Sequence, residues 1–159
     1  MALTKFQRII LVSVGLVLLI TILDIKGVNM FGLIGGLGGE SYKAIETHYL
    51  QFFWSFAFAI IFILAISWYI YTKDVSEALA VGIVPFLLLQ FGTEDFLFYK
   101  LQGIPFESQM EWMHKIVGVE LTSKLMGSPH ITGTVLTASV MIGIILTYFI
   151  VKKLRMAKW

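Results

Sequence analysis

The sequence predicts an all-α integral membrane protein. Of its 159 residues, 58% are hydrophobic and 14% are charged, and the mean hydropathy of +0.86 is far above that of soluble domains. Charged residues separate long apolar runs, and one crossing of the hydrocarbon layer needs about 20 such residues. The chain therefore has room for about four crossings, and we expect one helical bundle over residues 1–159.

Four segments satisfy the length criterion to different degrees. The first contains only a short uncharged run, so its flanks must contribute to the crossing. Lys5 and Arg8 resemble the start of a secretory signal, but no small-residue cleavage site follows, which favours an uncleaved anchor. Pro85 should kink the third segment, because proline leaves the Val81 carbonyl without its usual donor. The predicted spans are 6–25, 49–72, 78–99 and 131–151.

The basic residues predict an orientation. An even number of crossings places both termini on one side together with the turn at Lys73. That side holds seven Lys and Arg residues and the other holds five, so the positive-inside rule places both termini in the cytoplasm of a cell-membrane protein. With a net charge of +2 and basic residues beside the spans, the expected partner is the lipid bilayer and not nucleic acid.

An amphipathic helix is predicted over residues 106–125, between the third and fourth spans. Apolar residues recur there at spacings of four, three, four and four, which is typical of one helical face. Trp112 suits the depth of the lipid headgroups, so we expect this helix to lie on the membrane surface. The apolar residues are Phe106, Met110, Met113, Val117 and Leu121.

The same helix would carry Glu107, Glu111 and His114 on one side. Glu111 and His114 also form a Glu-x-x-His unit, the spacing found in carboxylate-bridged di-iron bundles. Such bundles need two units and two further glutamates, whereas this chain has one unit. A solvated acidic face is the alternative interpretation.

Two further histidines begin stripes of small and polar residues. At spacings of three and four, these stripes follow one face of the second and the fourth spans, so we expect both faces to point into the bundle. The stripes are His48, Gln51, Ser55 and Ala59, and His130, Thr134, Thr137 and Met141.

Carboxylates within a membrane segment suggest function. Glu94 and Asp95 lie near the end of the third span, where burial is costly unless they are paired, protonated or bound to an ion. In the predicted topology they share one side with all three histidines, opposite to the termini. We therefore expect a metal site at this surface, and imidazole with carboxylate suits zinc or iron, while a nearby methionine would admit copper. The candidate ligands are Glu46, His48, Glu94, Glu111, His114 and His130. The alternative is that the histidines only make local hydrogen bonds.

One short segment resembles a known enzyme family. Residues 94–99, Glu-Asp-Phe-Leu-Phe-Tyr, look like the Pro-(Leu/Ile)-Glu-Glu-x-x-Phe-Phe signature of membrane lycopene cyclases, with Gly92-Thr93 in place of Pro-Leu. The resemblance covers about eight residues. It implies an isomerase that acts on a carotenoid without net redox change, with roles for Glu94 and Asp95.

Three functions remain open at this stage. A membrane metalloenzyme, or a component of one, would use Glu94 and Asp95 as catalytic groups beside a metal that activates water or oxygen. A noncatalytic subunit of a larger membrane complex, or of a homo-oligomer, would make extensive contacts with other chains within the bilayer. A small transporter ranks last, because the sequence shows no inverted repeat.

Overall fold

The computed structural model describes residues 4–35 and 40–156, and it describes side-chain surroundings for residues 4–27, 52–110 and 112–154. Within these ranges the chain is helical, with no strand. The helices are α1 (Lys5–Gly35), α2 (Glu40–Thr72), α3 (Val75–Gln90), α4 (Thr93–Gln102), α5 (Val117–Leu125) and α6 (Gly133–Met156), and a short 3-10 helix, Glu111–Lys115, precedes α5.

Three helical segments are long and apolar enough to cross a membrane: Lys5–Gly27, Phe52–Thr72 and Gly133–Leu154. The third predicted span is broken into α3 and α4, which meet at an angle of 64°. The described chain therefore has three candidate spans, or four if the bent pair crosses as one unit. The prediction of an all-helical chain with apolar spans is confirmed, whereas the count of four stays a prediction.

The start of α1 and the end of α6 lie at the same end of the bundle. The rings of Phe6 and Tyr148 meet edge to face with their centroids 6.2 Å apart. The turn between α2 and α3 is at this end too, because Arg8 makes three hydrogen bonds of 3.0 to 3.2 Å to the carboxylate of Glu77. We call this end the terminal surface and the opposite end the distal surface.

Pro85 does not end α3. The helix runs through Pro85 to Gln90, and the large change of direction comes at Phe91 and Gly92. Gly92 adopts a left-handed conformation, with φ of 75° and ψ of 22°, which glycine reaches without steric cost. A Cβ atom there would also lie 2.6 Å from Leu136 Cδ1, so the tight packing against α6 requires a glycine.

The continuous amphipathic helix predicted over residues 106–125 does not form. Ile116 has extended backbone angles and separates the 3-10 helix from α5, while residues 104–110 are not helical. Met110 and Met113 are fully buried against α6, but Val117 and Leu121 are exposed. The Met110 amide donates to the Ile131 carbonyl at 2.8 Å. Burial of the methionines in the bundle thus replaces the predicted surface face.

The stripe on α2 that was predicted to face inward faces outward where it is described. Ser55 and Ala59 are exposed, and α2 instead turns Phe53, Ala57 and Ile61 towards the bundle. The side chains of His48 and Gln51 lie outside the described residues. The prediction of an inward stripe is therefore wrong for Ser55 and Ala59, because larger apolar side chains fill the interface with α1 and α3.

The stripe on α6 is also reversed. Thr134, Thr137 and Met141 are exposed, as is His130 before the helix. The buried face lies on the other side, where Gly143 allows the Phe91 ring to approach: a Cβ at Gly143 would lie 2.7 Å from Phe91 Cβ. Helix α6 thus packs on the helix break through Gly143, while Thr134 and Thr137 are exposed beside residues 106–108.

Candidate carboxylate site

The helix break places Glu94 and Asp95 in the first turn of α4 and buries both. Glu94 is 2% exposed and Asp95 is 7% exposed. The N-terminal end of a helix carries partial positive charge, which favours carboxylates there.

A third carboxyl group approaches this pair from α1. The side chain of Asp24 is within hydrogen-bonding reach of Glu94 and interacts electrostatically with both Glu94 and Asp95. Asp24 is 16 residues beyond Arg8, or about 24 Å along the helix at 1.5 Å per residue. The cluster of Asp24, Glu94 and Asp95, hereafter the acid cluster, thus lies towards the distal surface.

Two oxygen atoms of the acid cluster are buried and unsatisfied. Within the described residues, Glu94 Oε1 and Asp95 Oδ2 have no hydrogen-bond partner. An ionised carboxylate can only accept hydrogen bonds, so two carboxyl groups can bond to each other only when one carries a proton. Burial of such groups without a partner costs free energy. The arrangement therefore calls for a bound proton or another positive charge.

Two basic residues at the terminal surface, Arg8 and Lys5, form ion pairs with carboxylates outside the acid cluster. The Glu77 carboxylate is buried, and Arg8 neutralises it. The neighbouring Lys5 Nζ lies 2.5 Å from Asp74 Oδ2, and this contact, together with the Glu77 amide, lowers the pKa of Asp74 to about 2. These pairs fix α1 on α3 about 24 Å away from the acid cluster along α1.

Of the three histidines, the two whose side chains the structure describes, His114 and His130, lie outside the acid cluster. His114 makes a short hydrogen bond through Nδ1 to Glu120 Oε2, and Lys124 Nζ lies 2.9 Å from Glu120 Oε1. These two contacts lower the pKa of Glu120. His130 is exposed in the connection before α6, where its carbonyl accepts a bond from Ser128 Oγ at 2.6 Å.

The predicted metal site gains no support from the part of the chain that the structure describes. No three His, Asp or Glu side chains in that part come together as ligands of one ion. Glu94 is buried in the bundle, while His114 and His130 are engaged at the distal surface. The side chains of Glu46, His48 and Glu111 lie outside the described residues.

Sequence reasoning missed Asp24. It identified Glu94 and Asp95 because two adjacent carboxylates stand out in an apolar run, but it gave no role to Asp24, which lies inside the predicted span 6–25. The sequence did contain a signal, because Asp24 is the only acidic residue between Arg8 and Lys26. It lies about as far from Arg8 along the first span as Glu94 lies from Glu77 along the third.

Comparisons with protein-family models, with curated proteins and with solved structures find no match to this chain. The short resemblance of residues 94–99 to the lycopene cyclases therefore gains no support from them.

Proposed function

We propose that this chain is an integral membrane protein that binds and releases protons at the acid cluster. The observation that supports this proposal is that Glu94 and Asp95 are buried beside Asp24. One carboxyl oxygen of Glu94 and one of Asp95 lack a hydrogen-bond partner among the described residues. A proton bound between two carboxyl groups removes one negative charge and supplies the missing donor. Intramembrane carboxylates in contact are typical of proton relays.

Burial favours a proton over an organic substrate. The unpartnered oxygen atoms of Glu94 and Asp95 are inaccessible to solvent, so a molecule the size of a carotenoid has no direct access to them in this conformation. A proton needs no cavity of its own. Metalloenzyme chemistry at Glu94 and Asp95, with zinc, iron or copper, remains the competing proposal, and it requires ligands from residues such as His48 and Glu46.

Infrared difference spectroscopy during a pH titration tests the proposal. Purified protein in lipid bilayers should show a carboxylic acid carbonyl band that changes with pH and disappears in Glu94→Gln. Asp24→Asn, which conserves shape, should shift or weaken the band. Glu120→Gln is the matched control, because its carboxylate lies outside the acid cluster and already has His114 and Lys124 as partners.

Two results would overturn the proposal. One is a wild-type spectrum without any acid band that depends on Glu94, in protein whose circular dichroism shows intact helices. The other is stoichiometric metal in the purified protein that is lost in Glu94→Gln, which would replace the proton by a metal ion.

A second candidate function, that of a subunit in a larger membrane complex or homo-oligomer, is compatible with proton binding. It is favoured by exposed faces with small or hydroxyl-bearing residues, Ser55 with Ala59 on α2 and Thr134 with Thr137 on α6. Small and hydroxyl-bearing residues at membrane depth are typical of helix interfaces. Cross-linking from cysteines introduced at Ala59 or Thr137 should capture a neighbouring chain, whereas Leu11→Cys, on a face of α1 with large exposed apolar side chains, should not.

A further inference from the structure

We infer that a groove between α2 and α3 binds one acyl chain of an anionic phospholipid, with the lipid phosphate beside Lys73. The groove is lined by residues between positions 58 and 69 of α2 and between positions 75 and 86 of α3, and we call it the acyl groove. It is separate from the acid cluster, whose three residues do not line it. Its length, its inner end and the lysine at its mouth are the features that select a lipid.

The acyl groove is apolar and has a volume of about 610 Å³. Small residues form its floor, where α2 and α3 pack closely: a Cβ atom at Gly82 would lie 3.3 Å from Ala65 Cβ. Larger exposed side chains such as Phe62 and Ile66 form its walls. Of the described residues that line it, Tyr69 alone has a polar atom in its side chain. The acyl groove therefore offers mainly contacts with hydrocarbon.

The length of the acyl groove matches one leaflet of a bilayer. From its mouth at the turn between α2 and α3, it extends for about 17 Å along both helices at 1.5 Å per residue. One leaflet contributes about 15 Å to a hydrocarbon core of about 30 Å. An acyl chain anchored at the terminal surface would therefore end where the groove ends. A partner helix that crosses the bilayer would continue well past it.

Two aromatic rings mark the inner end of the acyl groove. Phe58 of α2 and Phe86 of α3 meet there with their ring centroids 5.6 Å apart. This contact joins the two helices at about the depth of the bilayer centre. The shape thus fits a chain that enters from the terminal surface and stops at mid-membrane.

Lys73 supplies a positive charge at the mouth of the acyl groove. It lies in the turn between Tyr69 and Val75, which both line the groove, and its amide donates to the Tyr69 carbonyl at 2.8 Å. Lys73 is exposed, while the neighbouring Asp74 carboxylate is paired with Lys5. The Lys73 ammonium group is therefore placed to pair with the phosphate of a lipid whose chain lies in the groove.

The backbone of Lys73 supports a role for its side chain. Lys73 has a φ of 56°, and among the described residues it is the only one besides glycines with a positive φ. Glycine is the usual residue in this conformation after a helix, because a Cβ atom is disfavoured there. Lysine at this position costs conformational energy that glycine would avoid, and an ion pair with a lipid phosphate offsets that cost.

Photo-crosslinking in vesicles tests the charge at the mouth. The full chain is placed in phosphatidylcholine vesicles with a small fraction of phosphatidylglycerol that carries a diazirine on one acyl chain, and mass spectrometry locates the label. The label should concentrate on residues of the acyl groove. Lys73→Gly suits the backbone but removes the charge, and it should lower labelling of the groove about fivefold. Lys73→Arg should label like the wild type. Lys153→Gln is the matched control, because it removes a charge from the end of α6, which does not line the groove.

A second pair of variants tests the acyl groove itself. Ile66 and Ile63 are both exposed on α2, but Ile66 lines the groove and Ile63 does not. Ile66→Trp should fill the groove and lower labelling of α3, whereas Ile63→Trp should leave it unchanged. Because both isoleucines are exposed, neither substitution disturbs the packed core.

Four results would overturn the inference. The first is label spread evenly over the exposed helix faces, including α6. The second is equal enrichment of a diazirine phosphatidylcholine in the acyl groove, which would show no preference for an anionic lipid. The third is labelling of the groove that is unchanged in both Lys73→Gly and Ile66→Trp. The fourth is cross-linking of Ile66→Cys to a neighbouring chain, which would show that protein fills the groove. Protonation of Glu94 is measured separately, so each proposal can fail alone.

Discussion

Substitution of Gly118 by alanine should disturb the helix break that creates the acid cluster. Gly118 in α5 touches the end of α3 so closely that a Cβ atom would lie 2.4 Å from the Gln90 carbonyl oxygen. It would also lie 2.7 Å from Phe91 Cγ. Because Gln90 presents a backbone atom, no rotation of a side chain can relieve the first contact.

The size of the effect follows from these distances. Ordinary carbon–oxygen contacts are about 3.3 Å. Helices α5 and α3 must therefore move apart by about 0.9 Å to relieve the 2.4 Å contact between the new Cβ and the Gln90 carbonyl oxygen. Overpacking of this kind costs about 1–3 kcal/mol, and the rigid backbone contact places Gly118→Ala near the upper end. For a chain of this size, about 2–3 kcal/mol lowers the Tm by about 4–12 °C.

Thermal unfolding in detergent, followed by circular dichroism, measures the effect. Gly15→Ala is the matched control: Gly15 is exposed on α1, and nothing lies within 4 Å of a Cβ there. Its Tm should equal or exceed that of the wild type. If Gly118→Ala unfolds at the same temperature as Gly15→Ala, the tight contact between α5 and the helix break does not exist in the protein.

Two further predictions concern the terminal surface. Arg8→Ala should lower the free energy of unfolding by about 2–3 kcal/mol, because it leaves the buried Glu77 carboxylate unpaired. The double variant Arg8→Ala/Glu77→Leu should recover most of this loss. If the double variant is as destabilised as Arg8→Ala alone, the pairing is refuted. Asp74→Asn keeps the helix cap but removes the ion pair with Lys5. Because this pair is half exposed, the free energy of unfolding at pH 7 should fall by about 1 kcal/mol, and by less at high salt. Because the pKa of Asp74 is lowered from 3.8 to about 2, its contribution is complete above pH 3.8 and disappears as the pH falls through 2. Wild type and Asp74→Asn should therefore differ in denaturation at pH 7 and converge near pH 2, and a difference that persists there would contradict the assignment.

Hydropathy predicted the apolar spans well, because the need to satisfy the backbone in lipid leaves helices as the main solution. It predicted the helix faces poorly. Small and polar residues suggested inward faces for α2 and α6, but Ser55 and Thr137 are exposed while Phe53 and Leu136 are buried. In a membrane both sides of a helix contact apolar material, so polarity alone does not say which face meets the same chain.

The candidate site was predicted in part. Glu94 and Asp95 stood out because carboxylates are costly within an apolar run. Their partner could not be found in the same way, since the approach of Asp24 depends on the 64° break between α3 and α4. That break depends in turn on contacts that Gly92 and Gly118 make with distant helices, and such contacts leave no local pattern in the sequence.

The packing of the helix break has a consequence for the order in which the protein is assembled. The residues that hold Phe91 and Gly92 in place come from α5 and α6, through Gly118, Val119 and Leu136. During synthesis these helices emerge after α4. The carboxyl groups of Glu94 and Asp95 therefore cannot be buried until the last third of the chain has been inserted, and a nascent chain that ends before α5 would leave them in contact with water or lipid headgroups.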